Sequence, residues 1–167
     1  MSSKNVEPNN SVGVSISFYN SDNIYPLLPL LSEEFPNWTV DKIKNYVKLV
    51  ISKENNSAGM LVAKNKSLYS VGLLIYTFQS ISSKYLYNNI KEEFTNGLIV
   101  ENIIASSPIL KQKIFLTIIE YAINVAKKNS CKFIELPKFD ENYQLISNKY
   151  HNKIIKFNSF RTAIDLS

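Results

Sequence analysis

The sequence is poor in the residues that build metal sites and disulfide frameworks. Its 167 residues include one cysteine, Cys131, and one histidine, His151. A single cysteine excludes an intramolecular disulfide framework and favours a reducing compartment. With one residue of each type the chain lacks the ligand set of a structural zinc site, so we expect no metal. We interpret Cys131 as a small core residue and His151 as an exposed residue at a helix end.

Long apolar runs and arginine are also scarce. No stretch approaches the roughly 18 apolar residues of a membrane-spanning helix, and the polar start MSSKNVEPNNS lacks the hydrophobic segment of a signal peptide. We therefore expect a cytoplasmic protein with no membrane partner. The formal net charge of +5 comes from dispersed lysines, with Arg161 as the only arginine. This pattern indicates solubility and does not favour nucleic-acid binding.

What the chain does contain is a regular succession of apolar segments. Residues 1–11 have no apolar period and predict a disordered tail, and residues 12–167 predict one domain. Alternating and β-branched segments predict strands, and 3.6-residue spacing predicts helices, with Thr39 as the cap of one. The resulting order is β-α-α-β-β-β-α-β-α-β, which is an α/β (α+β) class. The strand–helix–strand run over residues 98–136 requires a right-handed parallel crossover.

Three stretches give this order a family resemblance. MLVAKNKSLYSVGLLIYTF, residues 60–78, resembles the second and third strands of the GNAT superfamily of CoA-dependent N-acyltransferases. Residues 98–136 resemble the acyl-CoA motif of that family, and ENYQLISNKYHNKIIKF, residues 141–157, resembles its closing motif. The resemblance implies a GNAT-like central mixed β-sheet flanked by helices. It also implies acetyl-CoA or another acyl-CoA as co-substrate and an amine as acceptor.

The same resemblance implies where the CoA would bind. In the family the fourth strand splays from the fifth, and the pantetheine arm pairs with backbone groups at the end of the fourth strand, which here are Ile103, Ile104 and Ala105. Asn142 would hydrogen-bond the pantetheine, although a residue at the start of a helix is equally suited to cap it.

The pyrophosphate loop of the family, Arg/Gln-x-x-Gly-x-Gly/Ala, has no glycine counterpart in this chain. Aligned on Pro108, its six positions fall on Lys111, Gln112, Lys113, Ile114, Phe115 and Leu116, and no glycine follows Gly97. Backbone N–H groups at a helix start survive this change, and the two lysines add positive charge. A branched side chain at Ile114 would obstruct the phosphates. Both a reshaped CoA site and a merely basic helix start therefore remain open.

Two residues are candidates for proton transfer. Glu101 lies within the apolar strand LIVENIIA, where GNAT enzymes often carry the general base. A carboxylate partly buried among apolar neighbours would hold a proton more tightly than an exposed one, which suits that role. A solvent-facing position or a structural ion pair is the alternative. Tyr150 occupies the position of the family's general acid, although its surrounding residues depart from the pattern.

These residues predict a function with one alternative. The first hypothesis is an acyl-CoA-dependent N-acyltransferase that works by direct attack of the amine, with Glu33, Glu34 and Trp38 near the acceptor. The alternative is a catalytically inactive GNAT-like domain that serves as a binding or oligomerisation module. The sequence leaves open the acceptor, the acyl group and whether the chain forms a homodimer.

Overall fold

Seven strands, four α-helices and two short 3-10 helices build the described part of the chain. The computed structural model describes residues 13–21, 23–52, 57–82, 94–106, 110–137, 140–156 and 161–167, so the predicted tail lies outside it. The strands are β1 (Ser15–Phe18), β2 (Ala58–Lys64), β3 (Ser70–Ser82), β4 (Phe94–Ala105), β5 (Phe133–Pro137), β6 (Ile154–Lys156) and β7 (Arg161–Asp165). The helices are α1 (Leu28–Glu34), α2 (Val40–Ile51), α3 (Lys111–Lys128) and α4 (Asp140–Tyr150).

The strands form one mixed sheet in the order β1-β2-β3-β4-β5-β7-β6. Every neighbouring pair is antiparallel except β4 and β5, which run parallel and are joined through α3. The predicted parallel crossover and mixed sheet are therefore confirmed. The last apolar segment of the sequence supplies two strands, β6 and β7.

The helices cover both faces of the sheet because each carries an apolar stripe. On one side, which we call the α3–α4 face, the predicted stripe of α3 is buried, and Ile146 of α4 packs into the same core cluster. On the other side, the α1–α2 face, α1 and α2 pack against alternate residues of β2 and β3. Thr39 begins α2 as predicted, since its Oγ1 accepts the N–H of Lys42 at 3.3 Å. Cys131 is buried just before β5, also as predicted.

Helix composition adds one observation on membranes. In the ranges given above, every helix is either too short or too polar to serve as a membrane span. The longest helix, α3, has exposed lysines at both ends, and its C-terminal lysines face a terminus whose dipole favours cations.

The start of α3 docks on β3 through a side chain and a glycine. Ile114 is only 1% exposed, and a Cβ built on Gly72 would lie 2.8 Å from its Cγ2. The missing side chain of Gly72 thus makes room for Ile114. The expected obstruction of the helix start by Ile114 is therefore wrong, because this side chain points into the core.

Shortening Ile114 tests this placement. We expect Ile114→Ala to lower the free energy of unfolding by about 2–5 kcal/mol, the usual effect of removing buried methyl groups. The adjacent exposed residue offers a matched control, since Lys113→Ala should change stability by less than about 0.5 kcal/mol. Urea titration of the three proteins measures both values. Equal stability of the two variants would contradict the buried position of Ile114.

Candidate active site

Strands β4 and β5 separate after three register pairs. The pairs are Gly97↔Phe133, Leu98↔Ile134 and Ile99↔Glu135, while β4 continues to Ala105. We call the gap that opens beyond the last pair the fork. The sequence predicted a splay near Ala105, but the strands already separate at Val100.

A proline explains where the fork begins. Continuing the register by one residue would set Val100 opposite Leu136. In a parallel ladder, a carbonyl that faces the neighbouring strand accepts the N–H of the residue after its register partner, which here is Pro137. Proline has no N–H, so the ladder cannot be extended at this point.

An arginine side chain takes the place of the missing donor. Arg161 is the register partner of Pro137 on β7, and its Nη2 donates to the carbonyl oxygen of Val100 at 2.6 Å. Its Nε forms an ion pair with the carboxylate of Glu135, a buried residue. The guanidinium therefore bridges β4 and β5 at the base of the fork. Such charge-assisted bonds are stronger than neutral ones.

Glu101 lies beside this base, at an irregularity of the sheet. The β3–β4 register changes between Ile75↔Asn102 and Tyr76↔Val100, which leaves Glu101 without a register partner on β3. Bulges of this kind redirect side chains and are frequent next to active sites. The Glu101 side chain is exposed, and its Oε1 accepts a hydrogen bond from Thr77 Oγ1 at 2.9 Å. The expected partial burial of Glu101 is therefore wrong.

Tyr46 of α2 lies near enough to this carboxylate to be affected by its charge. Burial raises the pKa of Tyr46, and the negative charge of Glu101 raises it further. Tyr46 belongs to an aromatic cluster in which Trp38 stacks on Phe35 with ring centroids 4.3 Å apart and meets Tyr46 edge-on at 5.5 Å. Lys42 Nζ already lies 4.5 Å from the centroid of the Trp38 ring. Glu101, Tyr46 and these rings share the α1–α2 face.

Tyr150 lies on the other side of the sheet. Its half-buried ring packs against the core of the α3–α4 face, and burial raises its pKa. Together with Ile123 and Lys127 it lines a cavity of about 340 Å³ near the C-terminal end of α3. Tyr46 and Tyr150 thus lie on opposite faces of the sheet, and Tyr46 is on the face to which Glu101 projects. His151 is exposed directly after α4, as predicted.

The predicted CoA-contacting residues lie at one end of the fork. Ile103, Ile104 and Ala105 pair with β3 on one edge, and the described strands offer them no register partner on the β5 side. Their side chains are buried, which leaves backbone groups for contact with a ligand. Residues 107–109, which lead into the helix, lie outside the described residues. Asn142 is in the first turn of α4, and its side chain also lies outside them.

The first turn of α3 divides the remaining predicted contacts into two sets. Lys111, Gln112 and Lys113 are exposed, and Leu110 at the N-cap position provides no side-chain hydrogen bond to the helix. Further in, the N–H of Ile114 bonds to the Leu110 carbonyl at 2.9 Å. Phe115 and Leu116 follow inside the helix, where N–H groups bond to carbonyls four residues earlier. Only the first set therefore retains N–H donors at the end of the helix.

Sequence reasoning missed Arg161, Glu135, Thr77 and Tyr46. One usable signal was Pro137 at the end of the apolar segment FIELP, because proline within a predicted central strand marks the place where a ladder stops. The hydrogen bond from Arg161 to Val100 joins residues 61 positions apart, so no local sequence pattern predicts it.

Solved acetyltransferases share this fold. A GNAT-family acetyltransferase from Staphylococcus aureus Mu50 aligns with a TM-score of 0.59 at 16% identity, covering 92% of this chain and 99% of that one. An aminoglycoside 6'-N-acetyltransferase from Acinetobacter baumannii gives 0.60 at 15% identity, covering 82% and 88%. AtaT in complex with acetyl-methionyl-tRNA gives 0.60 at 9% identity, covering 91% and 94%. No protein-family model and no curated protein matches the chain. At these identities the likeness establishes the fold.

The proximity of Tyr46 and Glu101 is open to direct test. Removing the negative charge with Glu101→Gln should lower the pKa of Tyr46, because a nearby anion disfavours the phenolate. Burial remains, so the pKa should stay above the ordinary value for tyrosine. NMR titration of isotope-labelled tyrosine measures it. Glu120→Gln, which removes the same charge from α3, is the control, and an unchanged Tyr46 pKa in Glu101→Gln would show that the two groups are not neighbours.

Proposed function

We propose that this chain, which has the fold of the GNAT acetyltransferases, transfers an acyl group from acyl-CoA to an amine by direct attack. The observation that carries the proposal is the fork, with an accessible carboxylate at the point where it begins. Fold alone does not decide function, so the argument rests on the residues around this opening.

The fork and the start of α3 together fit an acyl-CoA co-substrate. Backbone groups of Ile103, Ile104 and Ala105 on the open edge of β4 suit the amide-bearing pantetheine arm, because an amide both donates and accepts hydrogen bonds. The first-turn N–H groups of α3 suit the pyrophosphate, and Lys111 and Lys113 add charge where the helix dipole already attracts anions. No glycine is required for these donors, since each belongs to the backbone.

Glu101 is assigned the role of general base. Its side chain is exposed, so an amine can reach it, and the Thr77 hydroxyl holds one carboxylate oxygen and leaves the other for the amine proton. In the transfer, the amine nitrogen bonds to the acyl carbon, the bond from that carbon to sulfur breaks, and Glu101 takes the amine proton. A general base of this kind contributes roughly 10²–10⁴-fold.

The departing thiolate takes up a proton, and two phenols are candidates for supplying it. Tyr150 holds this role by resemblance, but its ring packs on the α3–α4 face. Tyr46 shares the face of Glu101, and a tyrosine is protonated at neutral pH, as a proton donor requires. We therefore assign the role to Tyr46 and compare it with Tyr150 below.

The acceptor is an amine of unassigned size. The comparison proteins include one that acts on aminoglycosides and one in complex with an acetylated aminoacyl-tRNA, so the fold accommodates very different acceptors. The absent loop glycines favour the alternative, in which the domain is catalytically inactive and serves as a binding or oligomerisation module. Binding of CoA separates the two proposals.

Thermal unfolding with and without CoA provides that separation. Acetyl-CoA at about 100 times its dissociation constant should stabilise the fold by about 2.7 kcal/mol, which raises the melting temperature by about 5–10 °C for a chain of this size. Lys111→Ala combined with Lys113→Ala should remove much of the increase. The matched control, Lys127→Ala with Lys128→Ala at the other end of α3, should keep it. No increase with millimolar acetyl-CoA would favour the inactive domain.

Acyl-transfer kinetics test the catalytic assignments. Using the best acceptor from a panel of polyamines, aminoglycosides and lysine peptides, Glu101→Gln should lower kcat by about 10²-fold or more with little change in stability. Tyr46→Phe should lower kcat more than Tyr150→Phe. Wild-type turnover in Glu101→Gln would remove this residue from the mechanism, and a larger loss in Tyr150→Phe would return the donor role to Tyr150.

A further inference from the structure

The base of the fork is closed by a charged pair that the proposed chemistry does not use. Arg161 contacts Val100 on β4 and Glu135 on β5. Its guanidinium therefore spans the gap at the end of the fork that is farther from the first turn of α3. The side chain of Arg161 is only 27% exposed, and that of Glu135 is only 10% exposed. A pair this enclosed loses much of its hydration, and it is tolerated because the two opposite charges compensate each other.

The pair lies on the same face of the sheet as Glu101. Side chains alternate along a strand, and Ile99, Phe133 and Ala163 form a cluster on the face opposite α3. Glu135 and Arg161 each lie two residues from a member of that cluster, so they project to the same side. Glu101 is placed on this side by its hydrogen bond with Thr77, the register partner of Ile99. The guanidinium and the proposed base are therefore neighbours along one wall of the fork.

The order of groups along β4 indicates which part of a bound acyl-CoA would contact the Arg161–Glu135 pair. The open backbone edge at residues 103–105 lies closest to the first turn of α3. Glu101 comes next along β4, and the Val100 carbonyl, which is bonded to Arg161, follows it. Neighbouring residues on a strand are roughly 3.3 Å apart, and a base acts within about 3 Å of its proton. An acyl carbon placed beside Glu101 therefore has space for only a short chain before it reaches the guanidinium.

We propose that Arg161 and Glu135 limit the acyl group to about two or three carbons, the length that this spacing allows. The inference rests on the proposed function, because it takes the fork as the acyl-CoA site. A longer alkyl chain would have to displace the pair or cover it with apolar surface. Either change leaves a buried charge poorly solvated, which is costly.

Affinity for acyl-CoAs of increasing length tests the proposal without an acceptor. Isothermal titration calorimetry with CoA, acetyl-CoA, butyryl-CoA and hexanoyl-CoA gives the dissociation constants. In the wild type, hexanoyl-CoA should bind at least about 10-fold more weakly than acetyl-CoA, a difference of about 1.4 kcal/mol. In Arg161→Met combined with Glu135→Gln, which removes both charges together, that ratio should fall close to one.

A second ion pair of the chain supplies the matched control. Lys149 of α4 and Glu120 of α3 pair on the opposite face of the sheet, and Lys149→Met with Glu120→Gln should retain the wild-type ratio. Should the first double variant fail to fold, Arg161→Lys carries the test. Its single ammonium cannot bridge Val100 and Glu135 in the same way, so its ratio should fall below that of the wild type.

The outcomes separate this inference from the function on which it rests. Equal affinity for acetyl-CoA and hexanoyl-CoA in the wild type, or an unchanged ratio in the Arg161 variants, would overturn the limit on acyl length and leave CoA binding intact. Absence of binding for every member of the series would overturn both.

Discussion

One absent hydrogen-bond donor determines the geometry of the candidate site. Because Pro137 has no N–H, β5 cannot continue its parallel ladder with β4. The Val100 carbonyl would be left in the interior without a partner, at a cost of about 1–3 kcal/mol. Arg161 satisfies it from the next strand and brings Glu135 as its counter-charge. The opening between the strands is thus a stable part of the folded sheet and does not require a ligand to form it.

A second irregularity, on the other edge of β4, places an exposed carboxylate beside this opening. The bulge at Glu101 exposes a carboxylate on the α1–α2 face, where Tyr46 and its aromatic neighbours also lie. Pro137 ends the ladder on one side of β4 at Val100, and the bulge on the other side lies at the next residue, Glu101. The proposed base, the phenol of Tyr46 and the guanidinium of Arg161 consequently share one face, although they come from β4, α2 and β7.

Much of the fold was predictable because its signals are local. The apolar stripe of α3, the Thr39 cap and the parallel crossover all follow from residues close together in the sequence, and each is confirmed. The site was harder to predict. Apolar neighbours in the sequence suggested partial burial for Glu101, but the side chain is exposed at a bulge. Arg161 reaches Val100 across an entire strand. Tyr150 matched a motif position, while packing against α3 set its actual surroundings.

The contact between Gly72 and Ile114 has a consequence for how related sequences are compared. The two residues share the same limited volume between β3 and α3. A larger side chain at one position therefore requires a smaller side chain at the other. A glycine at position 114 would leave room for a side chain at position 72, and a larger residue at 72 would require a smaller one at 114. The two positions should therefore vary reciprocally among homologues. A search for helix-start glycines alone would overlook chains in which the small residue lies in the facing strand.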